Sequence, residues 1–226
     1  MKLLYLLIVL SLPSRGTLLF HEGFEKKTFS ENFNSICGGC IHNGKDKIAL
    51  TYKDARDGIR SLSITQHKGR TELATKRFPL AQDLIIKWSL FVPLDFDTSS
   101  SATVTQFIGW QAPCFNGGNF HIRIEQGRWS VWMRNIGKSS KDIILNKFVD
   151  KGNWTDLIVK AKFTQSVGYF ELAIKDTSSF QHFMLINSGQ SFINCTLGPY
   201  IKFGLYGENG EGNRIKLDKI SVEEIK

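Results

Sequence analysis

The residues best suited to chemistry in this sequence stand at alternate positions of short, strand-like segments. In Phe120–Glu125, apolar residues alternate with His121, Arg123 and Glu125, so these three polar residues share one face of an antiparallel strand. The same alternation places further cationic, amide, acidic and aromatic residues outward: Arg70, Glu72, Gln106, Trp132, Arg134, Lys202 and Tyr206. Guanidinium groups bind oxyanions through paired hydrogen bonds, and aromatic faces stack on sugar rings. This set predicts a surface that binds a sugar chain bearing carboxylates or sulfates; the alternative is an ordinary solvated sheet face.

The segments that carry these residues are expected to be β-strands of one domain. No stretch keeps helical periodicity over three turns, whereas short alternating or apolar runs recur between Gly, Asn, Asp and Pro. The expected strands are Thr17–Glu25, Ile48–Tyr52, Ser61–Gln66, Thr71–Lys76, Leu84–Phe91, Ala102–Trp110, Phe120–Glu125, Ser130–Arg134, Trp154–Phe163, Gly168–Lys175, Tyr200–Tyr206 and Lys216–Glu223. No repeat or low-complexity linker interrupts them. We therefore expect a single all-β sandwich over residues 17–226.

The first residues have the order of an export leader. Met1 and Lys2 supply a positive charge, an apolar run extends from Leu3 to Leu12, and the small residues Ser14 and Gly16 stand three before and one before a cut after Gly16. This run is shorter than the roughly 20 residues that cross a bilayer, and no second long apolar run occurs. We expect residues 1–16 to be a cleaved signal peptide and the rest to be secreted to the cell exterior.

Cysteines and glycosylation motifs agree with this export route. The four cysteines are Cys37, Cys40, Cys114 and Cys195. They allow three pairings, of which we favour a local bridge between the first two and a long-range bridge between the last two. A redox or zinc role for the Cys-x-x-Cys pair is the alternative, although no second ligand set completes a zinc motif. Asn153 and Asn194 begin Asn-x-Thr sequons and are expected glycosylation sites.

The charge balance bears on the partner. Lys and Arg number 29 against 21 Asp and Glu, a net charge of +8 that stays positive without the leader. A basic excess outside the cell favours an acidic partner, namely an anionic polysaccharide, anionic lipid headgroups or extracellular nucleic acid, and an ordinary basic surface explains the charge equally well. The charge is too dilute to prefer nucleic acid, and the outward polar and aromatic residues favour a sugar chain. We expect an acidic polysaccharide as partner, no nucleic acid, no membrane, a monomer, and no cofactor. Acids available for a structural cation are Asp97, Asp218, Glu208 and Glu211, although no ligand loop is recognisable.

Several motifs together resemble a known family. They are Asp57–Leu62, Gly69–Leu73, Trp88–Pro93, Val104–Trp110, Gly152–Asp156 and Gly198–Tyr206. From about Leu19 to the end, their order and spacing resemble the β-jelly-roll polysaccharide lyases, the group that includes glucuronan lyases, heparin lyase I and alginate lyases. The resemblance implies a concanavalin-like jelly-roll sandwich with a concave groove for an acidic polysaccharide.

The resemblance also implies a reaction, β-elimination, in which the C5 proton of a uronate is removed and the glycosidic oxygen at C4 is expelled. The uronate carboxylate must be neutralised and the developing enolate stabilised, which is the task of an oxyanion hole. Arg70 and Gln106 match the positions that would do so. Tyr206 matches the tyrosine that gives a proton to the leaving oxygen, Lys202 would hold substrate charge, and Glu72 would orient Arg70.

This sequence departs from the family pattern at the residue that would act as the general base. The relatives usually read Gln-x-His where this chain has Gln106-Phe107-Ile108, and isoleucine cannot accept a proton. Three explanations stay open: Tyr206 acts as both base and acid, His121 supplies the imidazole from the adjacent strand, or the groove binds sugars without catalysis. A glycosidase fits less well, because its two carboxyl groups must lie roughly 5–9.5 Å apart. Its only acids here, Glu72 and Glu125, both have arginine neighbours. The sequence thus predicts a secreted polysaccharide lyase, with a lectin-like binder as the alternative.

Overall fold

A computed structural model describes residues 16–26, 33, 47–52, 54–108, 119–134, 141–164, 166–189, 198–207 and 210–225, and its regular structure is almost entirely β-strand. In chain order the strands are β1 (Thr17–Glu22), β2 (Ile48–Thr51), β3 (Ser61–Thr65), β4 (Arg70–Ala74), β5 (Asp83–Phe91), β6 (Ala102–Ile108), β7 (Asn119–Glu125), β8 (Arg128–Arg134), β9 (Lys141–Phe148), β10 (Trp154–Lys162), β11 (Gly168–Lys175), β12 (Phe180–Gly189), β13 (Tyr200–Tyr206) and β14 (Arg214–Ile225). Among the described residues, no helix is long and apolar enough to cross a membrane.

The strands form two antiparallel sheets. Sheet A has the order β12-β11-β10-β5-β14-β3-β2, and β1 pairs separately with the second half of β14. Sheet B has the order β4-β13-β6-β7-β8-β9. Each sheet buries one face against the other, which makes a sandwich. The prediction of an all-β sandwich is therefore confirmed.

Aromatic rings fill the space between the sheets. Trp88 of sheet A lies against Phe107 and Phe203 of sheet B, with ring centroids 6.4 and 5.7 Å apart. Phe120 of sheet B stacks on Phe170 of sheet A at 4.4 Å, with the rings nearly parallel. All five side chains are at most 1% exposed. Large buried aromatic rings contribute much of the stability of such a core, so these rings fix how the two sheets face each other.

The buried phenylalanines of sheet B also determine where its polar side chains emerge. Successive residues of a strand point to opposite faces, so a ring held in the core directs its neighbour outward. The neighbouring pairs are Gln106 with Phe107, His121 with Phe120, and Lys202 with Phe203. We call the outer face of sheet B, which carries these polar residues, the groove face.

A tight turn sets the register of β7 and β8. Gln126 and Gly127 form the two-residue connection, and both have positive φ (51° and 72°), as a type I′ hairpin turn requires. The turn places His121 opposite Trp132 and Arg123 opposite Ser130. The relative positions of these groove-face residues therefore follow from local turn geometry.

All twelve expected strands are found, but β9 and β12 were not predicted. Both are edge strands, β9 of sheet B and β12 of sheet A. In β9 the apolar run Ile143–Leu145 breaks the alternation, and the inward position after it is the polar residue Lys147. In β12, Phe180 and Met184 are exposed at 61% and 49%, so apolar residues occupy both faces. The period-2 pattern that identifies interior strands is missing from both.

The inward-pointing Lys147 of sheet B links the two sheets through an ion pair with Asp176, which directly follows β11 of sheet A. Its ammonium lies 2.5 Å from the Asp176 carboxylate and donates to Ser179 Oγ at 2.7 Å, in the turn between β11 and β12. Both charged side chains are at most 4% exposed. Burial disfavours the ionised Asp176, but the hydrogen bonds from Lys147, Ser178 and the backbone of Ser179 outweigh it and lower the pKa of Asp176 to about 2.

Several predictions concern residues outside the described part of the chain. They are the leader up to residue 15, the four cysteines (Cys37, Cys40, Cys114 and Cys195), Asn194, and the cation candidate Glu208. Gly16, the predicted last residue of the leader, lies directly before β1. The signal peptide and the disulfide bridges stay predictions.

Candidate active site

Four of the predicted site residues occupy one row across the groove face. The cross-strand register places Lys202 opposite Gln106, Gln106 opposite His121, and His121 opposite Trp132. Adjacent strands lie about 4.8 Å apart, so each side chain in the row contacts or approaches the next. Residues that are far apart in the sequence are thereby brought into a single line, because strands β13, β6, β7 and β8 lie side by side in sheet B.

The carboxylate of Glu72 organises the next part of the site. Its Oε1 accepts a hydrogen bond from Gln106 Nε2, and its Oε2 lies 3.3 Å from Arg70 Nε and 3.6 Å from Lys202 Nζ. Glu72, Gln106 and Lys202 are only 1%, 2% and 6% exposed. The alternation correctly placed them on the groove face, but they are packed against one another rather than solvated.

Burial acts on both charges of this cluster. Burial raises the pKa of Glu72, and the nearby Lys202 and Arg70 only partly oppose it. Burial likewise lowers the pKa of Lys202, against the attraction of Glu72. Electrostatic interactions are stronger where water is excluded, so an anionic ligand at the edge of this cluster would interact strongly with its cations.

A glycine lets β13 approach β4 closely beside Glu72. Strand β13 lies between β4 and β6, and Gly204 of β13 stands opposite Glu72. A Cβ at position 204 would lie 2.2 Å from the carbonyl oxygen of Thr71 and 2.6 Å from Glu72 Cα. Gly204 also has a φ of 147°, which other residues rarely adopt. The absence of a side chain therefore permits the close approach of β13 to β4, the strand that carries Glu72.

Tyr206 stands beside this cluster with a guanidinium over its ring. The register places Tyr206 opposite Arg70, whose Cζ lies 3.9 Å from the ring centroid. Tyr206 is 37% exposed, so its ring is accessible from the groove. The contact is a cation–π interaction that holds ring and guanidinium together.

His121 is held as a neutral imidazole. Its ring centroid lies 4.6 Å from that of Trp132, and its Nε2 is buried without a hydrogen-bond partner among the described residues. Burial, followed by the positive charges of Arg123, Lys202 and Arg70, lowers the pKa of His121 to about 3. A neutral imidazole keeps one nitrogen able to accept a proton.

Four predicted residues line a common cavity of about 440 Å³: His121, Arg123, Trp132 and Tyr206. Within it, Arg123 forms a 2.8 Å ion pair with Asp142 of β9 and donates to Ser101 Oγ. Arg134 ends β8, and its side chain lies outside the described residues. The cavity therefore combines an imidazole, a phenol and a guanidinium on one surface.

The remaining predicted acids are engaged elsewhere. Glu125 accepts a hydrogen bond from Ser130 at 3.3 Å. Asp97 accepts a hydrogen bond from the Ser99 amide. Asp218 accepts three hydrogen bonds from backbone amides. Glu211 pairs with the His67 ring and accepts a hydrogen bond from the Lys68 amide. The described residues contain no group of three or more acids, histidines or cysteines arranged to hold a metal ion.

The sequence analysis missed two groove-face residues. Tyr200 lies two positions before Lys202 on the same face and has Arg77 over its ring, 5.2 Å from the centroid. The alternation that identified Lys202 and Tyr206 includes Tyr200 as well. Asp142 was missed because it lies on β9, which showed no clear alternation.

Comparison with known proteins agrees with this geometry. A family model described as polysaccharide lyase matches residues 26–221. The chain belongs to the polysaccharide lyase family. No curated protein sequence matches this lyase.

Solved structures show which fold the lyase adopts. An endo-β-1,4-glucuronan lyase from the fungus Trichoderma reesei is 15% identical with a TM-score of 0.64, covering 84% of this chain and 93% of that one. An alginate lyase from Chlorella virus is 12% identical with a TM-score of 0.55, covering 80% and 90%. The receptor-binding domain of botulinum neurotoxin type G is 10% identical with a TM-score of 0.59, covering 93% and 49%. The lyase thus has the predicted jelly-roll sandwich fold.

Proposed function

We propose that this polysaccharide lyase is a secreted enzyme that cleaves a uronate-containing acidic polysaccharide by β-elimination on the groove face. The observation that carries the proposal is the common cavity of His121 and Tyr206, beside the cations Arg70, Arg123 and Lys202. The reaction needs a base, a proton donor and a cationic environment for the carboxylate, and the residues named supply each of them.

The substrate carboxylate binds beside Arg70 and Lys202, whose positions are held by Glu72. Neutralising this carboxylate makes the C5 proton more acidic and stabilises the enolate that forms when the proton leaves. In the site, Gln106 is engaged with Glu72 and acts by holding that carboxylate in place. Its role here is therefore to position the cations rather than to contact the substrate directly.

His121 is the base in this scheme and Tyr206 is the acid. The imidazole accepts the C5 proton, the released electron pair forms the C4–C5 double bond, and the C4–oxygen bond breaks. The leaving oxygen takes the phenolic proton of Tyr206, and proton transfer from His121 through water restores the phenol. A bound carboxylate offsets the positive charges that lower the pKa of His121, so the imidazole becomes a better base when substrate is present.

Two alternatives receive less support. A non-catalytic binder has no need for a desolvated imidazole next to an accessible tyrosine. A glycosidase needs two carboxyl groups across one bond, but Glu72 is buried among the cations of its cluster, whereas Glu125 lies at the end of β7 and accepts a hydrogen bond from Ser130. Secretion rests on the leader-like sequence, with support from the exposed sequon residue Asn153 in the turn before β10.

The proposal is tested by incubating the mature protein with glucuronan, alginate and heparin. We expect an increase in ultraviolet absorbance from the unsaturated uronate on at least one of them. Tyr206→Phe serves as the inactive control. Binding to one of these polymers without unsaturated product would overturn the proposal and favour the lectin-like binder.

A further inference from the structure

We propose that the groove face carries a distal subsite on β8 and β9, formed by Arg128, Asn146 and Phe148, that binds a carboxylate-bearing sugar unit of the polymer. This inference rests on the proposed function, since it concerns the same substrate. None of these three residues belongs to the site described above, and two of them lie on β9, one of the two strands that were not predicted from the sequence.

The three side chains form a preassembled unit. Arg128 stands opposite Phe148 in the register of β8 and β9, and its Cζ lies 3.8 Å from the ring centroid. Arg128 Nη1 donates to Asn146 Oδ1 at 3.2 Å. These two contacts hold the guanidinium in one orientation, which reduces the entropy lost on binding a ligand.

Both the ring and the charge lie on the groove face. Trp129 and Val131 of β8 and Leu145 and Lys147 of β9 point into the sandwich, so Arg128 and Phe148 point to the other side. Phe148 is 62% exposed. An exposed aromatic ring of this kind can lie against the face of a sugar ring.

The charge of Arg128 is not neutralised within the described part of the chain. Arg123 pairs with Asp142 and Arg70 with Glu72, whereas no acid lies within 4.0 Å of the Arg128 guanidinium there. Glu125 stands opposite Arg128 in the register but accepts its hydrogen bond from Ser130. A guanidinium with open donors beside an aromatic ring suits a carboxylate on a sugar.

The position of the unit determines the ligand length that can reach it. Phe148 on β9 lies four strands from Tyr206 on β13, about 19 Å across sheet B. The register leads from Tyr206 through Thr103 to Arg123, so a polymer that crosses the strands obliquely toward the β7–β8 turn passes Arg123 and arrives at Phe148. A trisaccharide cleaved at Tyr206 is too short to do so, and the subsite therefore favours long uronate chains.

The experiment uses affinity electrophoresis in gels containing glucuronan, with all variants made in the Tyr206→Phe background so that the polymer stays intact. Phe148→Ala and Arg128→Gln are each expected to weaken binding roughly fivefold, the size of a partly exposed aromatic or charged contact. The matched controls are Phe180→Ala, 61% exposed on sheet A, and Lys160→Gln, exposed on the same sheet. In enzymes that retain Tyr206, the ratio of kcat/KM for glucuronan to that for its trisaccharide should fall by a similar factor.

The outcomes separate the two proposals. If both groove variants bind glucuronan as tightly as the sheet A controls, the subsite is overturned, whatever the turnover. If they weaken binding but the wild-type chain releases no unsaturated product, the subsite stands and the lyase mechanism on this polymer is wrong. Equal weakening by the sheet A controls would show non-specific binding and would also overturn the subsite.

Discussion

Glu72 on β4 accepts a hydrogen bond from Gln106 on β6, although β13 lies between these strands. The same carboxylate contacts Arg70 and Lys202, so one buried acid arranges side chains from three strands. Its cations are thereby fixed before any substrate arrives. Sites with such preorganised charge stabilise a developing anion without reorganising during the reaction.

The phenol of Tyr206 is expected to supply the proton to the leaving oxygen. Tyr206→Phe removes the hydroxyl group and keeps the ring on which Arg70 stacks, so kcat should fall by roughly 10²–10⁴-fold with little change in binding. Initial rates of unsaturated-product formation and affinity electrophoresis measure the two effects. Tyr52→Phe, at an exposed tyrosine outside the site, is the control. A normal kcat in Tyr206→Phe would assign the acid to another group.

His121 should make the stability of the fold sensitive to acid. An unfolded histidine has a pKa near 6.5, whereas that of His121 is about 3 in the folded protein. As the pH falls below about 6.5, the unfolded chain gains a proton that the folded chain does not bind, and the folded state loses up to about 1.4 kcal/mol per pH unit. His121→Gln removes this contribution.

Urea unfolding between about pH 7 and pH 5 should show the difference. The free energy of unfolding of the wild type should drop more steeply with acid than that of His121→Gln, which should also lose turnover. Parallel curves would mean that His121 titrates normally in the folded protein. Retained turnover in the variant would favour Tyr206 as both base and acid.

Gly204 should tolerate no side chain. Gly204→Ala would place a Cβ against the Thr71 carbonyl oxygen, and we expect a loss of roughly 3 kcal/mol or more in the free energy of unfolding. Gly212→Ala is the matched control, since Gly212 has positive φ but no atom within 4 Å of the added Cβ. It should cost only about 1 kcal/mol. Equal losses in thermal or urea unfolding would contradict the close approach of β13 to β4.

Removing one partner of the buried ion pair of Lys147 and Asp176 should destabilise the fold more than replacing both partners with apolar residues. Lys147→Met leaves Asp176 buried without its partner and should lower the free energy of unfolding by about 3–5 kcal/mol. The double variant Lys147→Met with Asp176→Leu should recover most of that loss.

Acid should weaken this pair only at very low pH. The pKa of Asp176 is lowered to about 2 from an unfolded value near 3.9, so its stabilising contribution is complete above about pH 4 and is lost as the pH falls through about 2. Urea unfolding at neutral pH and at about pH 3 measures both effects. A Lys147→Met chain as stable as the wild type would contradict the role of the pair.

Asn153 should carry an N-linked glycan if the chain is exported by a eukaryotic host. The side chain is exposed in the turn before β10, where its amide donates to Asp150 at 3.0 Å. Deglycosylation of the secreted protein should reduce its mass, and Asn153→Gln should remove part of that shift, with Asn194 as the other sequon. An unmodified Asn153 in secreted protein would contradict the prediction.

Residue alternation was enough to predict much of this structure. It placed Phe120, Ile122 and Ile124 in the core and His121 and Arg123 on the opposite face, as the structure shows. The pattern works for interior strands because each has one buried and one outer face. It also grouped the residues of the cavity before their register was known.

Other features depend on contacts that the pattern cannot express. The link between Glu72 and Gln106 requires the long glutamate side chain to reach across the intervening strand β13. Edge strands such as β9 lack alternation, because Lys147 points inward and Phe148 outward. The burial of Lys202 follows from its packing against Glu72, which belongs to a strand more than a hundred residues earlier.

The inward charge of Lys147 has a consequence for how β9 meets its surroundings. An edge strand exposes free amide and carbonyl groups that can pair with a strand of another molecule, and a charge buried on such a strand opposes this addition. A neighbour pairing with β9 would also lie beside Phe148 and Arg128. By discouraging self-association along this edge, Lys147 keeps the end of the groove open for the polymer chain to leave the protein.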